Sequence, residues 1–185
     1  MVVSDGPFDV GPPEDSFRGL SKEEIHEQLL RNFLPTSKVV IEQNIPILKS
    51  GRKKILFEAG VGSLEMLGSH SGRPQTSPQE AGIDPRSIDA IVCSHPHPDH
   101  IGGICRDDGV PFFPNAQVYL SERDFDFWTD EKLLGTRLQP LVKIARDNLL
   151  PVRNRIVFFK DGQEFLPGVQ AMLLPDTRRS MPASS

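Results

Sequence analysis

Apolar positions in this chain fall into short runs of two different periods, and the switching between them predicts strands alternating with helices. After Ser21 the residues Ile25, Leu29, Leu30 and Phe33 recur at helical spacing, and Ser21-Lys22-Glu23-Glu24 has the form of a capping box. A helix over 22–33, closed by Pro35, is predicted. Residues 39–48 are rich in β-branched side chains, Ser50-Gly51 is a turn pair and 53–57 is a second apolar run, which together predict a hairpin ended by Gly60-x-Gly62. The run 88–93, centred on Ala90-Ile91-Val92-Cys93, is apolar throughout and reads as a strand buried on both faces.

Further along, 117–120 reads as another strand. Ser121 caps a short helix carrying Phe125, Phe127 and Trp128, and a helix over about 133–149 is interrupted by Pro140. A strand over 155–159, the turn Asp161-Gly162 and a strand over 169–174 complete the pattern. Two stretches lack periodicity. The opening segment to Arg18, rich in Pro, Gly and Asp, reads as an extended arm; 68–79 reads as a polar loop that exposes His70, with a helical turn starting at Ser77-Pro78. The expected class is α/β (or α+β), a sheet packed against helices.

At 185 residues the chain accommodates one domain with a real core. A net charge of −4 gives neither a basic surface for nucleic acid nor an acidic tail, and no apolar window approaches a membrane span, so neither partner is expected. The start lacks a signal-peptide pattern, which places the expectation in the cytoplasm. Cys93 and Cys105 match no Cys-x-x-Cys spacing and read as small buried apolar residues rather than as a disulfide or thiolate ligands. His26, among the charged residues of the first helix, reads as a solvated side chain.

The chemistry is concentrated at His95-Pro96-His97-Pro98-Asp99-His100, followed by Ile101-Gly102-Gly103 and placed just after the buried strand. Four metal-capable groups in six positions rarely arise to satisfy packing. Imidazole and carboxylate donors suit zinc, with manganese, iron or cobalt as alternatives in the same nitrogen and oxygen environment. Alternation along the backbone lets His95 and His97 face one ion while Asp99 and His100 face a neighbouring position.

The HxHxDH spacing resembles the signature of the metallo-β-lactamase superfamily. Further segments resemble its methyl parathion hydrolase and lactonase branch: the opening Ser4-Asp5-Gly6-Pro7-Phe8-Asp9-Val10-Gly11-Pro12-Pro13-Glu14-Asp15-Ser16-Phe17, Phe33-Leu34-Pro35-Thr36, Ala81-Gly82-Ile83-Asp84-Pro85, Phe113-Pro114-Asn115-Ala116 and Asp126-Phe127-Trp128. The resemblance implies an αββα sandwich with two zinc ions at the sheet edge, held in part by His95, His97, Asp99 and His100. It implies hydrolysis of an ester, lactone or phosphotriester by a metal-bridged hydroxide, with Asp99 both ligand and proton acceptor. The substrate would be a small molecule, and Trp128 would either line its entrance or pack a helix.

Three departures qualify that expectation. Where relatives have Asp-Thr-Gly this chain has Glu58-Ala59-Gly60, which lengthens a supporting carboxylate. Residues 73–80 replace an amphipathic helix with a polar, proline-containing stretch. After Leu173-Leu174-Pro175 relatives continue with Gly-His-Thr and a second ββα half that carries the remaining ligands, whereas this sequence runs through Asp176-Thr177-Arg178 to its end. The expectation is therefore an incomplete domain over 1–175 with a disordered tail over 176–185, and an open sheet face through which copies could associate. Impaired activity follows, and the alternative function is a non-catalytic remnant that binds metal weakly or not at all.

Overall fold

A computed structural model describes residues 1–64, 82–172 and 174. The loop expected around His70, the turn at Ser77-Pro78 and the tail over 176–185 lie outside the described residues. The strands are β1 (Val2–Asp9), β2 (Val40–Ser50), β3 (Lys53–Phe57), β4 (Ala90–Val92), β5 (Gln117–Ser121), β6 (Ile156–Phe159), β7 (Glu164–Leu166) and β8 (Val169–Gln170). The α-helices are α1 (Pro13–Ser16), α2 (Lys22–Arg31), α3 (Pro98–Ile101), α4 (Glu122–Thr129) and α5 (Gln139–Leu149).

Strands β1 to β6 form one six-stranded sheet in sequence order, and β7 pairs with β8 in a separate hairpin. The first three strands run antiparallel to one another, while β3 to β6 are parallel. Register explains the two buried layers. Neighbouring residues point to opposite faces, so Leu56, Ile91, Val118 and Leu120 enter a large cluster with Phe125, Trp128, Val142, Ala145 and Leu149 of α4 and α5. Ile55, Ala90, Val92 and Tyr119 face the other way, where Phe165, Leu166 and Val169 of the β7–β8 hairpin cover them. Helices lie on one face of the sheet and a two-stranded hairpin on the other. At the antiparallel end, Leu48 on β2 is 43% exposed.

The capping box forms as its spacing predicts. The Ser21 hydroxyl accepts from Glu24 N at 3.3 Å and the Glu24 carboxylate accepts from Ser21 N at 2.8 Å. Helix α2 ends two residues before the predicted limit because Phe33 turns left-handed at φ 58°. His26 lies on the α2 surface at 3.2 Å from Glu14, apart from the histidine loop.

Three expectations are corrected. The opening segment is not a loose arm: Val2–Asp9 is an edge strand paired with β2, with a bulge between Ser4 and Gly6 and with Pro7 tolerated at the edge. Pro140 does not break a helix; it sits in the first turn of α5, where its missing N–H costs nothing, and the preceding residues form a 3₁₀ turn at Glu131–Leu133. The strand β6 does not pair across Asp161-Gly162 with the final strand. It joins the main sheet beside β5, and the terminal hairpin instead turns at Gly168 (φ 76°).

Trp128 is 1% exposed and packed in the larger cluster. Of the two roles open to it, packing is the one observed.

Candidate metal centre

Three of the four parallel strands, β3 to β5, deliver their carboxyl ends to the site at one edge of the sheet. β3 runs into Glu58, β4 into Cys93 and the histidine loop, and β5 into Ser121 and α4, which returns Trp128 to the loop. Such edges are where ligands collect in parallel sheets, because the crossovers leave a crevice there. His95 lies in a bend after β4, and His97 is the N-cap of α3 on extended backbone at φ −80° and ψ 157°. Asp99 and His100 occupy the single turn of α3. The six-residue motif is therefore part loop and part helical turn.

Main-chain contacts fix the loop from below. Ala59 N donates to His100 O at 2.7 Å and Gly103 N to Gly60 O at 3.1 Å. Val61 N donates to the fully buried Asp5 carboxylate at 2.7 Å, which ties β1 to the same bend. Glycine is required at the closest approach. A Cβ built on Gly62, whose φ is +68°, would stand 2.2 Å from Gly102 O, and one on Gly102 would stand 2.2 Å from Val61 O.

The structure brings all four predicted ligands together. The ring centroid of His95 lies 4.5 Å from that of His97 and 4.0 Å from that of His100. The donor atoms fall into two pairs: His95 Nε2 is 3.0 Å from His97 Nδ1, and His100 Nε2 is 3.1 Å from Asp99 Oδ2. Two donors on one tetrahedral zinc at ordinary bond lengths lie roughly 3.3 Å apart. Each pair therefore has the separation and the chemistry of two ligands to a shared ion, and in that sense the residues fit the metal that the motif implies. His97 Nε2 is buried without a hydrogen-bond partner. Among the described residues, however, no group of three or more His, Cys, Asp or Glu is arranged to hold a metal ion. The donors come as two plus two, short of the three protein ligands usual for catalytic zinc.

Neighbouring side chains orient these donors. Glu58 Oε2 lies 3.1 Å from His100 Nδ1, and both carboxylate oxygens accept from Ser94 N at 3.1 and 3.2 Å. Ser94 Oγ lies 3.0 Å from His95 Nδ1. Gln43 on β2 donates to Asp99 O. The Trp128 ring meets the His97 ring edge to face at 4.9 Å. Of these, Glu58 was visible in the sequence as a departure from Asp-Thr-Gly, and Trp128 as a residue of the entrance or of helix packing. Ser94, Gln43 and Asp5 carry no spacing signal. The cysteines are free and buried, and burial pushes both thiols up, Cys105 to about 11, which disfavours thiolate ligation. A cavity of about 640 Å³ opens between Ser63, Arg106, Asp107 and the end of α5, and none of the four predicted ligands lines it.

Burial, reinforced by the neighbouring His100 and His97, pushes His95 down to about 4, and His97 is lowered chiefly by burial. Both are neutral near pH 7, with lone pairs free. For His100 burial acts downward but is outweighed by the hydrogen bonds its ring donates to Asp99 and Glu58, which lift it to about 9. Burial would raise Asp99, yet its contact with His100 holds it below the usual carboxylate value.

Opposite signs follow for stability. From 6.5 down to about 4 the unfolded chain takes up a proton at His95 that the folded chain refuses, so stability falls with falling pH. From 6.5 up to about 9 the folded chain keeps a proton on His100 that the unfolded chain has lost, so stability falls with rising pH. Metal-free protein in chelator is therefore expected to show its highest urea midpoint near pH 6.5, with lower midpoints at about pH 5 and about pH 9. A midpoint still climbing between neutrality and about pH 9 would contradict the His100 pairing.

A sheet with helices on one face and an HxHxDH loop at the carboxyl ends of its parallel strands defines a metallo-β-lactamase-like protein. The sequence profile of the metallo-β-lactamase superfamily matches residues 39–178, and the chain belongs to that superfamily. Among solved structures it is similar to AidC, a dizinc quorum-quenching lactonase in complex with a product, at 26% identity and a TM-score of 0.75 over 88% of this chain and 58% of that one. It is also similar to AbOPH, a hydrolase of the β-lactamase superfamily, at 28% identity and a TM-score of 0.77 over 88% of this chain and 57% of that one. A probable metal-dependent hydrolase from Staphylococcus aureus shares the fold at 15% identity, with a TM-score of 0.71 over 91% of this chain and 61% of that one. The chain thus spans a little under three fifths of the first two structures. No curated protein matches it by sequence. Among the described residues no helix is long and apolar enough to cross a membrane.

Proposed function

We propose that this chain carries the metal-binding loop of a hydrolase of the lactonase and methyl parathion hydrolase branch, acting on a small-molecule ester, lactone or phosphotriester. The observation that carries the reading is the pairing of donors at 3.0 and 3.1 Å on one sheet edge. His95 and His97 would hold one zinc ion and Asp99 and His100 a second. Bound there, the ions supply an activated water and polarise the carbonyl or phosphoryl group. The chain's own residues do the rest. Neutral His95 and His97 offer lone pairs, Asp99 is a partly open carboxylate within reach of a proton released at the site, and Trp128 and Ser94 hold the rings in place. Likeness to a dizinc lactonase and to a hydrolase, each above 25% identity, supports the branch.

A second reading, a non-catalytic protein that binds metal weakly, is favoured by the two-plus-two donor count. Metal analysis of the purified full chain, with turnover of an N-acyl homoserine lactone, a nitrophenyl ester and a phosphotriester, separates the two. Two equivalents of zinc and chelator-sensitive hydrolysis are expected. Substoichiometric metal with no turnover of any of the three supports the second reading.

A further inference from the structure

Glu58 has a backbone conformation that favours glycine, with φ 69°, at the end of a central strand. A strained residue beside a functional loop is retained only when its surroundings over-determine it. Here they do. Glu58 N donates to Val92 O at 2.9 Å and the next amide, Ala59 N, donates to His100 O at 2.7 Å, so the main chain is pinned on both sides. From this pinned bend the carboxylate reaches two donors that belong to the metal loop, Ser94 N and His100 Nδ1. Its side chain is only 20% exposed, and that of His100 is 21% exposed.

We propose that Glu58 is the positioning residue of the loop: it holds the His100 ring through Nδ1, leaves Nε2 as the ligating nitrogen, and requires the full length of a glutamate to do so. The proposal rests on the reading of His100 as a metal ligand. A histidine ligates through one ring nitrogen, and the hydrogen bond made by the other selects which one and sets the ring plane. In this structure Nε2 faces Asp99 Oδ2, its expected co-ligand, at 3.1 Å, while Nδ1 faces Glu58. Length decides the rest. Aspartate is shorter by one carbon–carbon bond, about 1.5 Å. With the backbone held by both amides it cannot advance to make up the difference, and a 3.1 Å contact extended by that amount is no longer a hydrogen bond. An aspartate at this position would therefore not serve this chain.

The test compares the parent chain with Glu58→Asp and Glu58→Gln. In metal-free protein the Nδ1–H of His100, protected by its hydrogen bond, is expected as a far-downfield proton resonance in water. E58D should lose it, while the Ala59 amide keeps its protection and reports an intact bend. Zinc affinity by chelator competition should fall about 10- to 100-fold in E58D, the usual effect of removing an outer partner of a ligand. E58Q keeps the length but offers one acceptor oxygen to two donors, so it should bind zinc less tightly than the parent and more tightly than E58D. An E58D protein that keeps the resonance and binds zinc within twofold of the parent overturns the proposal, as does an E58Q protein weaker than E58D. Should E58Q fail to fold, E58D decides alone. Should the parent bind no zinc, the metal reading fails, and the resonance still decides whether Glu58 holds His100.

Discussion

Replacing His97 by alanine is expected to abolish hydrolysis and to weaken zinc binding by at least about 100-fold, more than loss of any outer hydrogen-bond partner. With His97 gone, His95 Nε2 loses the nitrogen 3.0 Å away with which it would share an ion, and one donor cannot hold that position. The same change should leave folding nearly intact, because the ring contributes an edge contact with Trp128 and a buried nitrogen without a partner. Removing a buried polar atom that has no partner offsets part of the packing lost. Metal content, turnover and a urea melt on one preparation check all three statements. Unchanged zinc stoichiometry in the variant would remove His97 from the site.

Gly62→Ala is expected to cost about 3–5 kcal/mol of stability, at the upper end of single substitutions. Two effects coincide at this position. The backbone is left-handed, at φ +68°, and the new methyl would stand 2.2 Å from Gly102 O and 2.9 Å from Gly103 N. Those atoms are main chain, so no rotamer change relieves the clash. The bend and α3 must separate, and the Gly103 to Gly60 and Ala59 to His100 hydrogen bonds would go with them. Zinc affinity should therefore fall together with the urea midpoint. A variant within about 1 kcal/mol of the parent, binding zinc normally, would show that the two segments do not touch as described.

Much of this arrangement was legible in the sequence because it rests on local rules. The capping box at Ser21, the β2–β3 hairpin and the buried run Ala90-Ile91-Val92 depend on spacing within a few residues, and each formed where predicted. The superfamily was legible because HxHxDH compresses its donors into one loop. Misreadings arose where a distant partner overrode local composition. Asp5, Gly6, Pro7 and Asp9 disfavour a strand within Val2–Asp9, yet β2 offers it an edge and a bulge between Ser4 and Gly6 accommodates them. Pro140 looked like a breaker because its place in the helix depends on where the helix starts. Strand β6 looked like a hairpin partner because the turn after it is strong, but the edge of β5 claimed it first. At the site the motif named the donors but not what aims them. Gln43 reaches Asp99 across 56 positions and Asp5 reaches Val61 across 56, separations that no local pattern encodes.

The contact between Gly62 and Gly102 joins two stretches of bare main chain, and neither stretch depends on the identity of a side chain facing the crevice. Residues that would form the walls of that crevice on the segments after β5 and β6, other than Trp128 against His97, can therefore be exchanged without shifting the imidazoles. Divergence toward new substrates would accordingly be concentrated in those segments, while the loop itself drifts little.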